Sequence, residues 1–171
     1  MKDLTKRFVI SALVAHKPGV LYRVSNMFWR RGFNIESVAI GAAEQPEMAR
    51  MTITIKGEEK DAVQLVGNLE KLIDVIKAAR LDPEKAVIRE LALIKLNAAD
   101  PKIRSDIFHY VDVFRGRIVD VSPETATVEI VGTKDKIDAF INLTRNFGLV
   151  EVARTGETAL IRGPESVRID E

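Results

Sequence analysis

The chain has 171 residues, 46% of them hydrophobic and 30% charged, with no cysteine. That composition excludes a disordered or fibrous chain, and the missing cysteines exclude disulfides, thiolate nucleophiles and the common structural zinc sites. Lys and Arg number 26 against 25 Asp and Glu, a net charge of +1, so nothing in the charge balance calls for a nucleic acid or an anionic membrane as partner.

The opening "MKDLTKRFVISALVAHKPG" carries one short apolar run, too short for a membrane span and without a signal-peptide cleavage pattern, so a cytoplasmic protein is expected. Phe8 to Val14 reads as a buried strand that stops at Pro18-Gly19. From Gly19 to Arg31, Val20, Leu21, Val24, Met27 and Phe28 recur at helical spacing, and Gly32 ends the pattern. "FNIESVAIGAA" and "ARMTITIK" form a hairpin across "EQPEM"; Met51, Ile53 and Ile55 alternate with Thr52 and Thr54, which predicts one apolar face. Ala62, Leu65, Val66, Leu69, Leu72 and Ile73 predict a second helix, and "VIKAARL" a returning strand.

The charged turn "DPEKA" at residues 82–86 reads as a boundary, giving one unit over 1–82 and a second over 83–171. Beyond it the order repeats. "VIRELALIKL" is a strand, and Ile103, Ile107, Tyr110, Val111 and Phe114 make a helical stripe. "RIVDVS" and "TATVEIVG" form a hairpin, Ile137, Phe140, Ile141 and Thr144 a helix face, and "LVEVART" a closing strand. Arg31-Gly32 before the first hairpin is echoed by Arg115-Gly116 before the second. The fold class is therefore α+β, with two tandem ferredoxin-like βαββαβ sandwiches. At roughly 80 residues each half buries only about 60% of its unfolded surface, which favours oligomerisation through an open sheet edge.

No catalytic constellation assembles. His16 and His109 are the only histidines, and the serines lack a G-x-S-x-G context; no GxGxxG or Walker loop occurs and no metal cluster is visible. "FWRR" is a basic aromatic helix end, but the central strands lack the exposed aromatics of an RNA-recognition sheet, leaving Phe8 as the one candidate. The more telling stretch is "HKPGVLYRVSNMFWRRGFNIES". A helix start leaves amide N–H groups without partners and carries partial positive charge, and Gly19 has no side chain to keep a small anion from the amides of Gly19, Val20 and Leu21. Pro18 suits the first helical turn. Asn34, read as facing that loop, can both donate and accept, or can serve as a turn asparagine bonded to its own backbone.

Taken together, "HKPGVLYRV", "RRGFNIESVAIG" and "ARMTITIKG", continued by "LEKLIDVIKA", "RELALIKL", "FRGRIVDVSPE", "KIDAFINL" and "VEVARTG", resemble the small regulatory subunits of acetolactate (acetohydroxyacid) synthase over nearly the whole chain. The resemblance implies that residues 1–82 are an ACT domain that binds an effector and dimerises, with a carboxy-terminal ferredoxin-like domain over 83–171. It implies no cofactor and no chemistry in this chain, which would activate a catalytic large subunit carrying thiamine diphosphate, magnesium and FAD and confer feedback inhibition by valine. It places the effector at a dimer interface on His16, Lys17, Pro18, Gly19, Val20, Leu21, Asn34 and Ile35. The carboxylate would lie on the amides after Pro18, the ammonium near Asn34 of the neighbouring chain, and the isopropyl group against Val20, Leu21 and Ile35. Many members of the family carry asparagine where His16 stands, so the contact there departs from the pattern. A sensor for leucine or isoleucine, or for a different target enzyme, is the alternative within the same architecture; an independent small enzyme is the alternative outside it.

Overall fold

A computed structural model describes residues 6–168. Its first sheet orders as β2-β3-β1-β4, all antiparallel, from β1 (Lys6–Ala15), β2 (Ile35–Ala42), β3 (Met48–Gly57) and β4 (Val75–Leu81). Helices α1 (Val20–Arg31) and α2 (Glu59–Leu69) pack on one face, over a core of Phe8, Ile10, Ala12, Val14, Met51, Ile53 and Ile55 from the strands and Val20, Val24, Phe28, Leu65 and Leu69 from the helices. The second sheet repeats the arrangement as β6-β7-β5-β8, with β5 (Ala86–Asn97), β6 (Arg117–Val121), β7 (Thr125–Gly132) and β8 (Leu149–Arg154) beside α3 (Pro101–Val113) and α4 (Lys134–Thr144). The two βαββαβ orders expected from hydrophobic periodicity are both present. No helix among the described residues is long and apolar enough to cross a membrane.

Local details depart from the sequence pattern. Helix α2 ends at Leu69, so Leu72 and Ile73 belong to the turn before β4, and Ile73 is 90% exposed instead of extending the apolar helix face. The echo of Arg-Gly pairs is not an echo of backbone shape. Gly32 takes the left-handed cap of α1 at φ 67°, whereas after α3 Arg115 itself takes φ 52°. Gly116 is needed there for closeness, since a Cβ on it would stand 2.9 Å from the Glu129 carbonyl oxygen as well as 2.3 Å from Ile130 Cδ1. Phe8 is buried under Arg80, whose guanidinium carbon lies 4.9 Å from the ring centroid, so it is unavailable to stack a base.

The chain divides into two compact units, the first made of residues up to Ile88 together with Glu157 onward, the second of Arg89–Gly156. The returning segment includes a strand that periodicity does not announce, β9 (Thr158–Ile161). Ala159, Ile161 and Val167 pack with Val9, Ala79, Leu81, Ala86 and Ile88. Val9 alternates along β1 with the helix-facing Phe8 and Ile10, so these contacts cover the sheet face opposite the helices. This is why Thr52 and Thr54 are buried instead of lining a polar solvent face. The buried Glu157 carboxylate accepts from Thr54 Oγ1 at 2.9 Å and from the Arg7 guanidinium, whose Nε also donates to Glu36 Oε2 at 2.7 Å. Arg50 Nη1 donates to the Val167 carbonyl at 2.7 Å. A division at residue 82 leaves Val9 and Leu81 without these neighbours.

Inside the second unit, the buried Glu90 carboxylate accepts two bonds from Arg154, from Nε at 2.8 Å and from Nη2 at 2.6 Å. The same guanidinium reaches Asp138 at 2.6 Å. This pairing ties β5 to β8 and to α4.

A chain ending at Gly156 is expected to lose the cover that Ala159, Ile161 and Val167 provide, a burial of about 3 kcal/mol. Hydrogen exchange should show lost protection in β1, β3 and β4 with α3 and α4 unchanged; uniform protection would contradict the role of the returning segment.

Candidate functional site

The helix-start stretch forms a tight loop between β1 and α1. Pro18 and Gly19 lie in the turn and the helix begins at Val20, one residue past the cap, so Pro18 precedes the helix and is not part of its first turn. Gly19 is that cap, with φ 88°, a conformation L side chains rarely adopt. Val20 N–H reaches the Lys17 carbonyl at a long 3.5 Å and Arg23 N–H the Gly19 carbonyl at 3.0 Å. Within this turn the amides of Gly19 and Leu21 have no backbone acceptor. They are the donors a carboxylate would take, and the positive end of the α1 dipole adds to them.

The loop is held by a residue outside the candidate set. Asp74, 3% exposed, closes the turn before β4, and its backbone carbonyl accepts from Ala15 N–H at 2.8 Å. Lys17 Nζ stands 2.7 Å from Asp74 Oδ1, and Arg23 Nε donates to Oδ2. One carboxylate thereby grips the loop at Lys17 and the first turn of α1 at Arg23. The pull of Lys17 is the largest influence on its titration, burial opposes it and Arg23 adds to it; the net effect holds the carboxyl below its ordinary range. On the other side His16 N–H donates to the Glu47 carbonyl at 2.7 Å, and Glu47 takes φ 61° in the turn between β2 and β3. A Cβ on Gly19 would lie 3.5 Å from Arg23 Nη1, so an aspartate there would compete with Asp74 for Arg23 as well as fill the seat.

Two readings fall differently from the expectation: Val20 as a side-chain contact, and Asn34 as facing the loop of its own chain. Val20 is 3% exposed and packs in the core beneath α1, which leaves only its backbone at the loop, whereas Leu21 is 49% exposed. Asn34 and Ile35 do not face the loop of their own chain. Ile35 pairs with Ile55 and Ile55 with Phe8, while the loop follows Ala15, seven residues farther along β1. At about 3.3 Å per residue the separation is roughly 20 Å. Asn34 is exposed at this far end, its carbonyl accepting from Lys56 N–H at 3.1 Å. His16, Lys17, Pro18, Gly19 and Leu21 thus gather at one end of the sheet, and Asn34 and Ile35 at the other.

Asp74 escapes sequence reasoning because no motif marks it; the one signal is an acidic residue inside the apolar run "LIDVI". Because its folded-state carboxyl is held below the ordinary value of about 3.9, its contribution to stability is present above that pH and is lost as pH falls through the folded value. Asp74→Asn should therefore be less stable than the unaltered chain at neutral pH, with the gap in thermal midpoint closing below about pH 4. A gap that stays constant down to pH 3 would remove the ion pairs as its cause.

Residues 10–77 match the family described as AHAS small subunit-like ACT domain, and residues 89–163 the family described as small subunit of acetolactate synthase. The chain is 53% identical over 159 residues to a probable acetolactate synthase small subunit of Methanothermobacter thermautotrophicus, covering 93% of this chain and 95% of the relative. It is 44% identical over 167 residues to the acetolactate synthase small subunit of Mycolicibacterium smegmatis, covering 98% of both. The crystal structure of the acetolactate synthase small subunit of Thermotoga maritima superposes with a TM-score of 0.87 at 42% identity, over 94% of this chain and 99% of that one. Both units, in sequence and in shape, place the chain in the acetolactate synthase small-subunit family.

Proposed function

We propose that the chain is a non-catalytic, cytoplasmic regulatory subunit that activates an acetolactate synthase large subunit and makes it sensitive to valine, bound between two copies of this chain. The thiamine diphosphate, magnesium and FAD of the reaction belong to the large subunit in this reading. The observation that carries the binding site is the separation of its two halves. A ligand the size of an amino acid cannot span the roughly 20 Å between the loop and Asn34 in one chain, whereas two chains can bring the halves together.

The sheet offers the means. Strand β2 is an edge, and residues 37–43 carry neither charge nor proline, the devices that normally protect an open edge from pairing. Two β2 edges related by a two-fold axis run antiparallel, so the start of one lies beside the end of the other. Ala42 at that end pairs with Ala49, next to Met48, which pairs with Ala15 just before the loop. Asn34 of one copy then approaches the Gly19 loop of the second. Helix α1 supports the same contact: Leu21, Tyr22 and Trp29 are 49%, 73% and 82% exposed and share the helix side turned away from α2. The bound carboxylate takes the amides of Gly19 and Leu21, the ammonium the amide oxygen of Asn34, and the isopropyl group packs on Leu21 and Ile35; Val20 contributes no side chain.

Acetolactate formation from pyruvate tests the reading. The chain alone should form none, a large subunit should gain activity on its addition, and valine should then inhibit. Asn34→Ala leaves the ammonium short of a partner, a loss of about 1 to 3 kcal/mol, and should raise the inhibitory valine concentration about 5- to 150-fold while sparing activation. Absence of activation would overturn the regulatory reading. Inhibition by leucine or isoleucine instead of valine would keep the architecture and change the effector, and an unaltered valine response in Asn34→Ala would overturn the two-chain site.

A further inference from the structure

The half-site that carries Asn34 and Ile35 is tied by side chains to the returning segment. Arg7 on β1 stands opposite Lys56 on β3, and Lys56 N–H donates to the Asn34 carbonyl at 3.1 Å. Arg7 and Asn34 therefore lie at one level of the sheet, with β3 between them. Just beyond Asn34 the ladder between β2 and β3 is interrupted: Ile35 pairs with Ile55 and Ser37 with Thr54, which makes Glu36 the extra residue of a bulge. A bulged residue takes its direction from its side chain, and here Glu36 Oε2 accepts from Arg7 Nε at 2.7 Å. The same guanidinium donates from Nη2 to Glu157. Glu157 is buried, accepts from Thr54 Oγ1 as well, and is the residue at which the chain re-enters the first unit after Gly156. All of these residues belong to that unit. The two bonds of Arg7 differ in what they secure. The buried Glu157 carboxylate needs its cation, whereas the exposed pair with Glu36 adds little to stability. Its effect is to orient the bulged start of the β2 edge from a buried anchor.

We propose that Arg7 is a positioning residue of the effector site: anchored on Glu157, it orients the start of β2 and with it Asn34, so that the returning segment sets how well Asn34 meets the ligand. This assignment rests on the reading that Asn34 completes a valine site on the Gly19 loop of a second copy. The geometry calls for arginine in particular. A guanidinium is a rigid fork whose Nε and Nη2 engage two carboxylates at once, whereas a lysine ammonium is a compact point charge that stays with the carboxylate that needs it most. A different use of Glu36, direct attraction of the ligand's ammonium group, is opposed by the same contact, because Arg7 already neutralises that carboxylate.

Calorimetric titration of the full chain with valine, with thermal midpoints measured alongside, tests the assignment. Arg7→Lys keeps a cation on Glu157 and releases Glu36, so it should weaken valine binding about three- to fivefold, the range that one exposed pair can transmit, with the midpoint nearly unchanged. Glu36→Ala should weaken binding by the same factor, and the double variant by no more than either single one. Glu36→Gln keeps an acceptor for Nε and should recover part of the loss. A purely structural Arg7 would move the midpoint and leave the affinity alone. Asn34→Ala is the control for the underlying site: no valine binding by the unaltered chain, or normal binding by Asn34→Ala, would overturn the two-chain reading and this assignment with it. With binding weakened in Asn34→Ala, three results would overturn the positioning role alone. These are normal affinity in Arg7→Lys, additive losses in the double variant, and tighter binding in Arg7→Lys, as a freed Glu36 acting directly on the ammonium would give.

Discussion

The carboxylate of Asp74 is the point from which the candidate site is built. It is nearly removed from water, and a buried charge is tolerable only where cations meet it. Those cations, Lys17 and Arg23, come from either side of Gly19, so their pairing with Asp74 sets the path of the loop and the direction of α1 together. The free amides at Gly19 and Leu21 are a consequence: the loop is pinned by side chains and by the His16 and Ala15 backbone bonds, which leaves these donors unspent. A loose loop would satisfy them with water or with itself. Rigidity at this place costs backbone strain at Glu47, which takes φ 61°, whereas Gly19 takes its positive φ freely.

The second constraint is topological. Helix α1 has 12 residues and is about 18 Å long, so it carries the chain back to the end of the sheet where β1 began. Residues flanking the helix in sequence are therefore held apart in space. A site that needs both flanks must be completed by another molecule, and an unprotected edge strand running between the two half-sites provides the geometry for a symmetric pair. In the proposed reading the effector fills the interface between the two chains.

Most of the fold was legible because it follows from alternation in the strands and from three- and four-residue spacing in the helices. The same patterns hid the returning segment. Thr52 and Thr54 read as a solvent face, and only tertiary structure reveals that Ala159, Val167 and Glu157 cover that face. A four-residue strand such as β9, beyond the last expected element, carries too little periodicity to be seen. Of the site, Gly19 and its helix start were legible from backbone chemistry. Helical spacing marks Val20 for the core while its position marks it for the loop, and for its side chain burial decides in favour of the core. Asn34 reads as facing the loop because it opens the strand after the Gly32-Phe33 corner, and only the register of β2 on β3 and of β3 on β1 sets it at the opposite end of the sheet. Asp74 is not marked by the sequence because it is a lone acidic residue inside an apolar run, and its meaning depends on Lys17 and Arg23, which arrive from elsewhere in the chain.

The most direct test of a site shared between two chains is valine binding by a mixture of two defective forms. Gly19→Asp chains keep Asn34 but lose the loop seat, and Asn34→Ala chains keep the seat but lose the amide. In a mixed pair one site carries both lesions and the other carries neither, so calorimetry on the re-associated mixture should recover valine binding of unaltered affinity at one site per mixed pair. Binding that stays absent in every mixture, with mixed pairs shown to form, would contradict a site built from two copies.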